Sequence, residues 1–409
     1  MAHESPLLLR SLPASEATVI RYAALCCLAL GTFAVGTEGF MIAAILPEIA
    51  ADLAVSVQVT GLLVTVFAIT YALSAPILTA LTGRFGRRKL LVLCMAAFAC
   101  ANLVAAMAAS YDFLLGARIM LALTAGLYVP NANALASAIT PVQWRGRALA
   151  VVNGGFSGAV ALGVPLGALL CSRTNWRMPF VGVAILAGAA CLGLLVGVPR
   201  DAATQLPAAS LRERLKLLRN PVAFPALLVT TLWALGGYTM YTYIAPYLGQ
   251  AARLDGARVG LVLFLWGVCA FVGLFLGGLA NDRIGANRVI TVALPLMATA
   301  LLALSLAAWR LPADEALVPI LIAVAIWGIS AWGFFPPQQA RLIGIVGPAG
   351  APLILSLNTS FQYVGFSLGA AFGSFVLTRR SIADLGWAGA LWVVAAVALN
   401  ALRMRLASA

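Results

Sequence analysis

The stretch Leu81-Thr-Gly-Arg-Phe-Gly-Arg-Arg-Lys89 and its partner Leu279-Ala-Asn-Asp-Arg-Ile-Gly-Ala-Asn-Arg288 decide how this chain is read. One fixed shift lays Arg84 on Arg283, Gly86 on Gly285 and Lys89 on Arg288. Each copy is a short basic turn between two long apolar runs, and a tight turn between helices favours Gly. Its arginines can hold headgroups or the carbonyl ends of neighbouring helices. Alone, either copy could be a plain basic turn at a membrane surface. Recurring after the second and the eighth apolar run, the pair points to a duplicated six-helix unit.

Outward from these turns the 409 residues are 63% apolar and only 10% charged, with a mean hydropathy of +1.00. A soluble protein needs about a quarter of its residues charged, whereas a bilayer needs apolar runs of about 20 residues. Such runs are placed at about Ile20 to Leu46, Val57 to Leu81, Leu90 to Ala109, Phe113 to Ile139, Ala148 to Leu170 and Met178 to Val198. Six more follow at about Val222 to Leu248, Val259 to Ala280, Val289 to Trp309, Leu317 to Val346, Leu353 to Thr378 and Trp387 to Leu402. They are apolar on all faces, unlike the alternating strands of membrane barrels. The expected fold is an all-α membrane protein with twelve transmembrane helices in two pseudo-symmetric bundles. The first run is too long for a signal peptide and meets Pro47 and Glu48 without an obvious cleavage site.

Net charge is +13, which in a soluble protein would suggest nucleic acid. Here the basic residues sit in the gaps, so no nucleic-acid partner is expected and the charges read as orientation signals. With both ends on one side, that side receives Arg10, Arg21, Arg84, Arg87, Arg88, Lys89, Arg145, Arg147, Arg200, Arg212, Arg214, Lys216, Arg219, Arg283, Arg288, Arg341, Arg403 and Arg405. The other side receives Arg173, Arg177, Arg253, Arg258, Arg310, Arg379 and Arg380, and Arg118 lies within a run. Both termini are therefore expected in the cytoplasm. The organisation follows: tail 1–19, first bundle 20–198, cytoplasmic linker 199–221, second bundle 222–402 and tail 403–409. In the linker, Leu211, Leu215 and Leu218 fall on one helical stripe among basic residues, as in an interfacial helix; a solvated linker fits equally.

Cys26, Cys27, Cys94, Cys100, Cys171, Cys191 and Cys269 lie in or at the ends of apolar runs without metal or redox spacing, and read as small buried hydrophobes. The one histidine, His3, is in the polar start of the chain. No metal, no cofactor and no Ser/His/Asp or Cys/His catalysis is expected in the body of the protein. Nor do the runs carry the paired acids or Ser/Lys dyad of an intramembrane enzyme.

The repeated turn resembles the hallmark of the major facilitator superfamily, a Gly-Asp-Arg-Gly-Arg-Arg-like turn after span two with a weaker copy after span eight. The matching positions are Gly83, Arg84, Gly86, Arg87 and Arg88, then Asp282, Arg283 and Gly285. The usual acid is Gly83 in the first copy and is kept as Asp282 in the second. Span five carries Gly154-Gly-Phe-Ser-Gly158 through Gly163-Val-Pro165-Leu-Gly167, similar to the Gly-and-Pro motif of the family's exporters. In physical terms, its small residues permit close helix approach and Pro165 removes one backbone hydrogen bond. The run Gly36-Thr-Glu38-Gly-Phe40 through Leu46-Pro-Glu-Ile-Ala-Ala-Asp-Leu53, with Trp176-Arg177, is similar to the drug:proton antiporter branch that includes arabinose and purine exporters.

Twelve of the 13 acids fall in tails, loops or span ends; Glu38 alone lies well inside a run. An intramembrane acid generally faces a cavity or a partner and marks function. At 1.5 Å per residue, Glu38 sits about 13 Å below the outer end of span one, and Arg118 about 9 Å below that of span four. The two are expected to share one polar cavity in the outer half of the first bundle, either as a proton-exchanging site or as a permanent ion pair.

Candidate substrate-cavity residues are Tyr128, Asn131 and Asn133 in span four, with Asn153 and Phe156 in span five. Tyr238, Tyr241 and Tyr243 stand in span seven, Trp327, Trp332, Phe335 and Gln338 in span ten, and Asn358, Phe361 and Gln362 in span eleven. Aromatic faces with amides suit planar or amphipathic solutes. The second bundle is expected to hold no intramembrane charge, which disfavours strongly charged solutes. The reading is a monomeric bacterial inner-membrane exporter whose two bundles rock about a central site. Proton-coupled drug antiport leads, with efflux of a nucleobase, nucleoside or sugar as the alternative, ahead of uptake or sensing without transport.

Overall fold

The computed structural model describes residues 14–83, 85–141, 144–198, 211–347 and 350–408. Among them, 12 helical stretches are long and apolar enough to cross a membrane. Spans one to six are Tyr22–Asp52, Val57–Leu81, Arg87–Ala106, Tyr111–Ile139, Arg145–Arg173 and Arg177–Gly197. Spans seven to twelve are Ala223–Tyr241, Gly256–Ile284, Ala286–Arg310, Ala313–Val346, Ala351–Arg379 and Ile382–Arg405. Span one continues past its expected end because its helix carries Pro47 internally and stops only at Asp52. A proline inside a membrane helix is tolerated where neighbouring groups re-satisfy the freed carbonyl.

The duplication is visible in which helices touch. In the first half the extensive pairings are one with five, one with six, two with four, three with four and three with six. In the second they are seven with eleven, seven with twelve, eight with ten, nine with ten and nine with twelve. Adding six to every number of the first set yields the second. The halves join through span two on span eleven and span five on span eight, which the same operation exchanges. That is a pseudo-two-fold between two six-helix bundles.

Close approach depends on small residues, since apolar lipid supplies no hydrophobic drive for helices to associate. In the first half a side chain at Gly155 of span five would overlap the Ala29 carbonyl of span one; in the second, one at Gly365 of span eleven would overlap the Thr231 carbonyl of span seven. These are equivalent crossings.

Three of the helical stretches are interrupted. Span five has a π turn at Ala159–Gly163, where the Val164 N–H bonds the Ala159 carbonyl five residues back. This wider turn immediately precedes Pro165, which has no N–H for the carbonyl four residues before it. Span seven ends at Tyr241 and resumes as a short helix, Ile244–Ala252. Span ten breaks at Phe334, one residue before the helix that opens Phe335-Pro336-Pro337. In the linker, helix Leu211–Leu218 packs Leu217 and Leu218 against a small core containing Leu227, Leu342 and Ile354. Its Arg214 donates to the Ser356 hydroxyl at 2.7 Å, so it docks on the second bundle. The side chains of Leu211 and Leu215 lie outside the described residues.

Candidate functional site

Span one brings Glu38 against span four, where its carboxylate is ion-paired with Arg118; both side chains are 0% exposed. The guanidinium also donates from Nε to the Leu63 carbonyl at 3.4 Å and lies 4.3 Å from the centre of the Phe67 ring. Glu38 Oε2 and Arg118 Nη2 have no hydrogen-bond partner. Sequence reading anticipated the meeting of these two residues but placed it in a water-accessible cavity. The pair is instead sealed between spans one, two and four, because Leu63 and Phe67 of span two close over it. From Phe67 the rings continue to Tyr71 at 6.4 Å and on to Tyr363 of span eleven, stacked on Tyr71 at 3.8 Å, so a short line of aromatics links the pair to the second bundle.

Two residues beyond Glu38, the Phe40 ring crosses into an aromatic box. It makes edge contacts with Phe156, Tyr238, Tyr241 and Phe366 at 5.6, 6.0, 5.7 and 6.2 Å, and a tilted one with Trp332 at 6.3 Å. Tyr238 stacks on Phe366 at 3.7 Å, and Trp266 lies between Tyr241 at 4.8 Å and Trp327 at 5.5 Å. Tyr241 donates its hydroxyl to the Phe40 carbonyl at 3.4 Å, and Tyr71 stacks on Tyr363 at 3.8 Å across the seam. The predicted Tyr238, Tyr241, Trp327 and Trp332 therefore do converge. Phe40, Trp233, Trp266 and Phe366 complete the box and were not anticipated, since an aromatic inside an apolar run looks the same whether it faces lipid, core or cavity.

The remaining candidates divide. Tyr128 is fully buried inside the first bundle, where its hydroxyl donates to the Leu28 carbonyl at 3.2 Å. Tyr243 is likewise sealed; its hydroxyl donates to the Ala370 carbonyl at 3.0 Å and its ring fills the space beside Gly61. Both serve packing here. Asn133 donates to Asn153 at 3.4 Å, and Asn153 is exposed although it lies within a span. Phe335 touches Trp332 at 6.0 Å, Phe361 packs on Phe224 at 6.1 Å, and Gln362 is buried.

Gln338 and Asn358 join a polar chain that sequence reading did not foresee. Arg341 donates to Asn400 and to Gln338, Gln338 donates to Thr230 at 2.7 Å, and Thr230 donates to Asn358 at 2.7 Å. Arg341, placed at the cytoplasmic boundary by sequence, is 8% exposed and inside span ten. The second bundle thus buries one charge among amides near the end of span ten. A guanidinium five residues from the end of its helix is pulled inward by two amide acceptors rather than released to water.

At the first basic turn, Arg87 donates to Asn131 of span four. Arg88 donates to the carbonyls of Leu194, at 3.4 Å, and Leu195 at the end of span six. Those carbonyls carry the negative end of the helix dipole. Arg84 lies outside the described residues. In the second copy Asp282 and Arg283 are exposed, Asp282 accepts from Asn281 at 3.4 Å, and Gly285 has φ +83°. Among the described residues of the two turns, only Gly285 takes a positive φ; its counterpart Gly86 has φ −58°. Behind Glu38, the span-five motif packs on span one: a side chain at Gly163 would overlap Thr37, one at Gly167 would lie 3.3 Å from Met41, and Gly158 faces Phe33. Pro165 follows the π turn at that contact.

At the end opposite the basic turns, the halves are joined by neutral groups. Ser374 donates to the Gln58 carbonyl at 3.1 Å, and Ser367 to the Thr65 carbonyl at 3.0 Å. On the other side of the axis, a Cβ at Gly260 would stand 3.3 Å from that of Ala168. Nearby, within the first half, Asp52 accepts from the Trp176 indole at 3.0 Å and pairs with Arg177 at 2.8 Å.

A family model described as Major Facilitator Superfamily matches residues 28–370. The chain is 31% identical over 372 residues to the MFS-type transporter YbcL of Bacillus subtilis (strain 168), covering 90% of this chain and 93% of that one. It is 32% identical over 377 residues to a chloramphenicol resistance protein of Streptomyces lividans, covering 91% and 93%. The crystal structure of a D-xylose-proton symporter superposes with a TM-score of 0.79 at 15% identity, covering 93% of this chain and 97% of that one, a likeness of fold. The twelve spans, the two exchangeable halves and these matches lead to one conclusion: the chain belongs to the major facilitator superfamily and is a multi-pass bacterial membrane transporter.

Proposed function

We propose that the protein exports small hydrophobic organic compounds, drugs among them, in exchange for protons across a bacterial inner membrane, with both termini in the cytoplasm and one chain as the working unit. The observation that carries the reading is the sealed Glu38–Arg118 pair beside the aromatic box. A buried pair is held by mutual attraction, and removing the charge of one partner leaves the other uncompensated. Proton arrival at Glu38 therefore forces Arg118 to seek new acceptors, and water or rearranged spans must supply them. Because Phe40 is on the same helix, that adjustment reaches the solute's place. A proton entering down 100 mV supplies about 2.3 kcal/mol to bias the cycle.

The joined seam lies opposite the basic turns, and the exposed Asn153 lies on the basic side. With the basic turns cytoplasmic, this is an inward-facing state of a rocking cycle. The aromatic lining favours hydrophobic solutes, and the name of the Streptomyces relative agrees with drugs as cargo. Proteoliposomes with an imposed pH gradient and a panel of dyes and antibiotics test the reading. Efflux should follow the gradient in the native protein and lose that dependence in Glu38→Gln, with thermal unfolding and monodispersity of the variant measured alongside because Arg118 is left without its anion. Gradient dependence unchanged in Glu38→Gln rejects the coupling role.

A further inference from the structure

Trp233 and Trp266 line the aromatic box, are 4% and 5% exposed, and carry buried indole N–H groups that meet no acceptor in the protein. A buried donor without an acceptor is costly, and native proteins hold few of them. Trp392, outside the box, is a third such indole among the described residues; what sets Trp233 and Trp266 apart is that they share one cavity. No Asp, Glu, Lys, Arg or His lines that cavity, so nothing there would offset a charged solute. With Phe40 in place the free space is only ≈ 20 Å³, about one water: Phe40 is the first bundle's one contribution to a lining otherwise drawn from the second, and its ring has to leave for a solute to enter.

We infer that the box takes an uncharged aromatic solute bearing acceptor atoms such as a ketone, nitro or ring-nitrogen group, with Trp233 and Trp266 as its specificity-determining donors. Phe40 holds the ring's place while the solute is absent. The orphan indoles and the uncharged aromatic lining describe the same complement: a flat face for stacking, no charge, and lone pairs for two N–H groups. The inference deepens the proposed export and rests on the box being the solute's place, but not on proton coupling. Proton release from Glu38 and solute recognition at the indoles are separate tasks on neighbouring walls.

The test is equilibrium binding to the whole protein in lipid nanodiscs, with no gradient and with binding to empty discs subtracted. Tritiated 9-fluorenone and fluorene serve as probes, having the same planar frame with and without a ketone. The native protein should prefer fluorenone by about fivefold for each donor engaged. Trp233→Phe and Trp266→Phe, which keep a ring and delete the donor, should each narrow that preference while fluorene binding stays. Phe40→Ala should tighten both probes and leave the preference intact. Equal affinity for the two probes, binding of neither, or a full preference persisting in both tryptophan variants overturns the inference. Gradient-driven efflux with no ketone preference would sink this inference alone, whereas a ketone preference without gradient dependence would sink only the coupling.

Discussion

Glu38 and Arg118 are each tolerable in the membrane because of the other, which makes their substitutions unequal. Arg118→Ala leaves a buried carboxylate with no cation and is expected to cost about 3–5 kcal/mol, read as a lower midpoint in thermal unfolding in detergent. The double variant Glu38→Gln with Arg118→Met removes both charges and should recover most of that loss. Efflux driven by a pH gradient should stay absent in it. Recovery of stability together with gradient-driven efflux would detach the pair from coupling. This pair was legible in sequence because a charge inside an apolar run is conspicuous. Arg341 escaped because it sits near the end of its span, where a basic residue ordinarily reaches water, and only the amides of Gln338 and Asn400 hold it inside.

At the level of elements, span five shows why composition reports a motif without its consequence. Its glycines are close in sequence yet unequal in space: Gly155 meets the Ala29 carbonyl, while nothing stands within 4 Å of a Cβ at Gly154. Gly155→Val should therefore destabilise by about 1–3 kcal/mol or block folding, with Gly154→Val close to neutral as its control. Thermal unfolding of both variants decides it, and equal losses would mean the crossing is not tight. The hydrogen bond that Pro165 removes is accommodated just before it, in the π turn at Ala159–Gly163 that packs on Thr37 beside Glu38. A proline signals a missing hydrogen bond, but neighbouring helices choose how the freed carbonyl is accommodated.

For the whole molecule, the two halves meet at one end and must part there if they rock. With the native cysteines replaced, Gly260→Cys with Ala168→Cys brings two Cβ positions to 3.3 Å, within disulfide reach. Oxidation should cross-link the pair and stop transport, and dithiothreitol should restore it; full transport by the oxidised form would exclude opening at this seam. The basic-residue asymmetry makes a second expectation at this scale. Alkaline phosphatase fused after residue 409 should be inactive in cells and a fluorescent protein there bright, as befits a cytoplasmic end.

The chain by itself determined the number of spans, the six-and-six division and the repeated turn. Bilayer length and the cost of unpaired backbone in lipid leave an apolar run of twenty residues almost no other fate. It also singled out Glu38 and Arg118, because charge in hydrocarbon demands a partner. Tertiary structure alone decided which aromatics meet. Tyr128 and Tyr243 give their hydroxyls to neighbouring carbonyls and pack, while Phe40, Trp233 and Trp266 surround a cavity. Every face of these helices is apolar, so hydropathy cannot distinguish lipid from core or cavity; only the crossing of spans one, seven, eight and ten assigns each ring its surroundings.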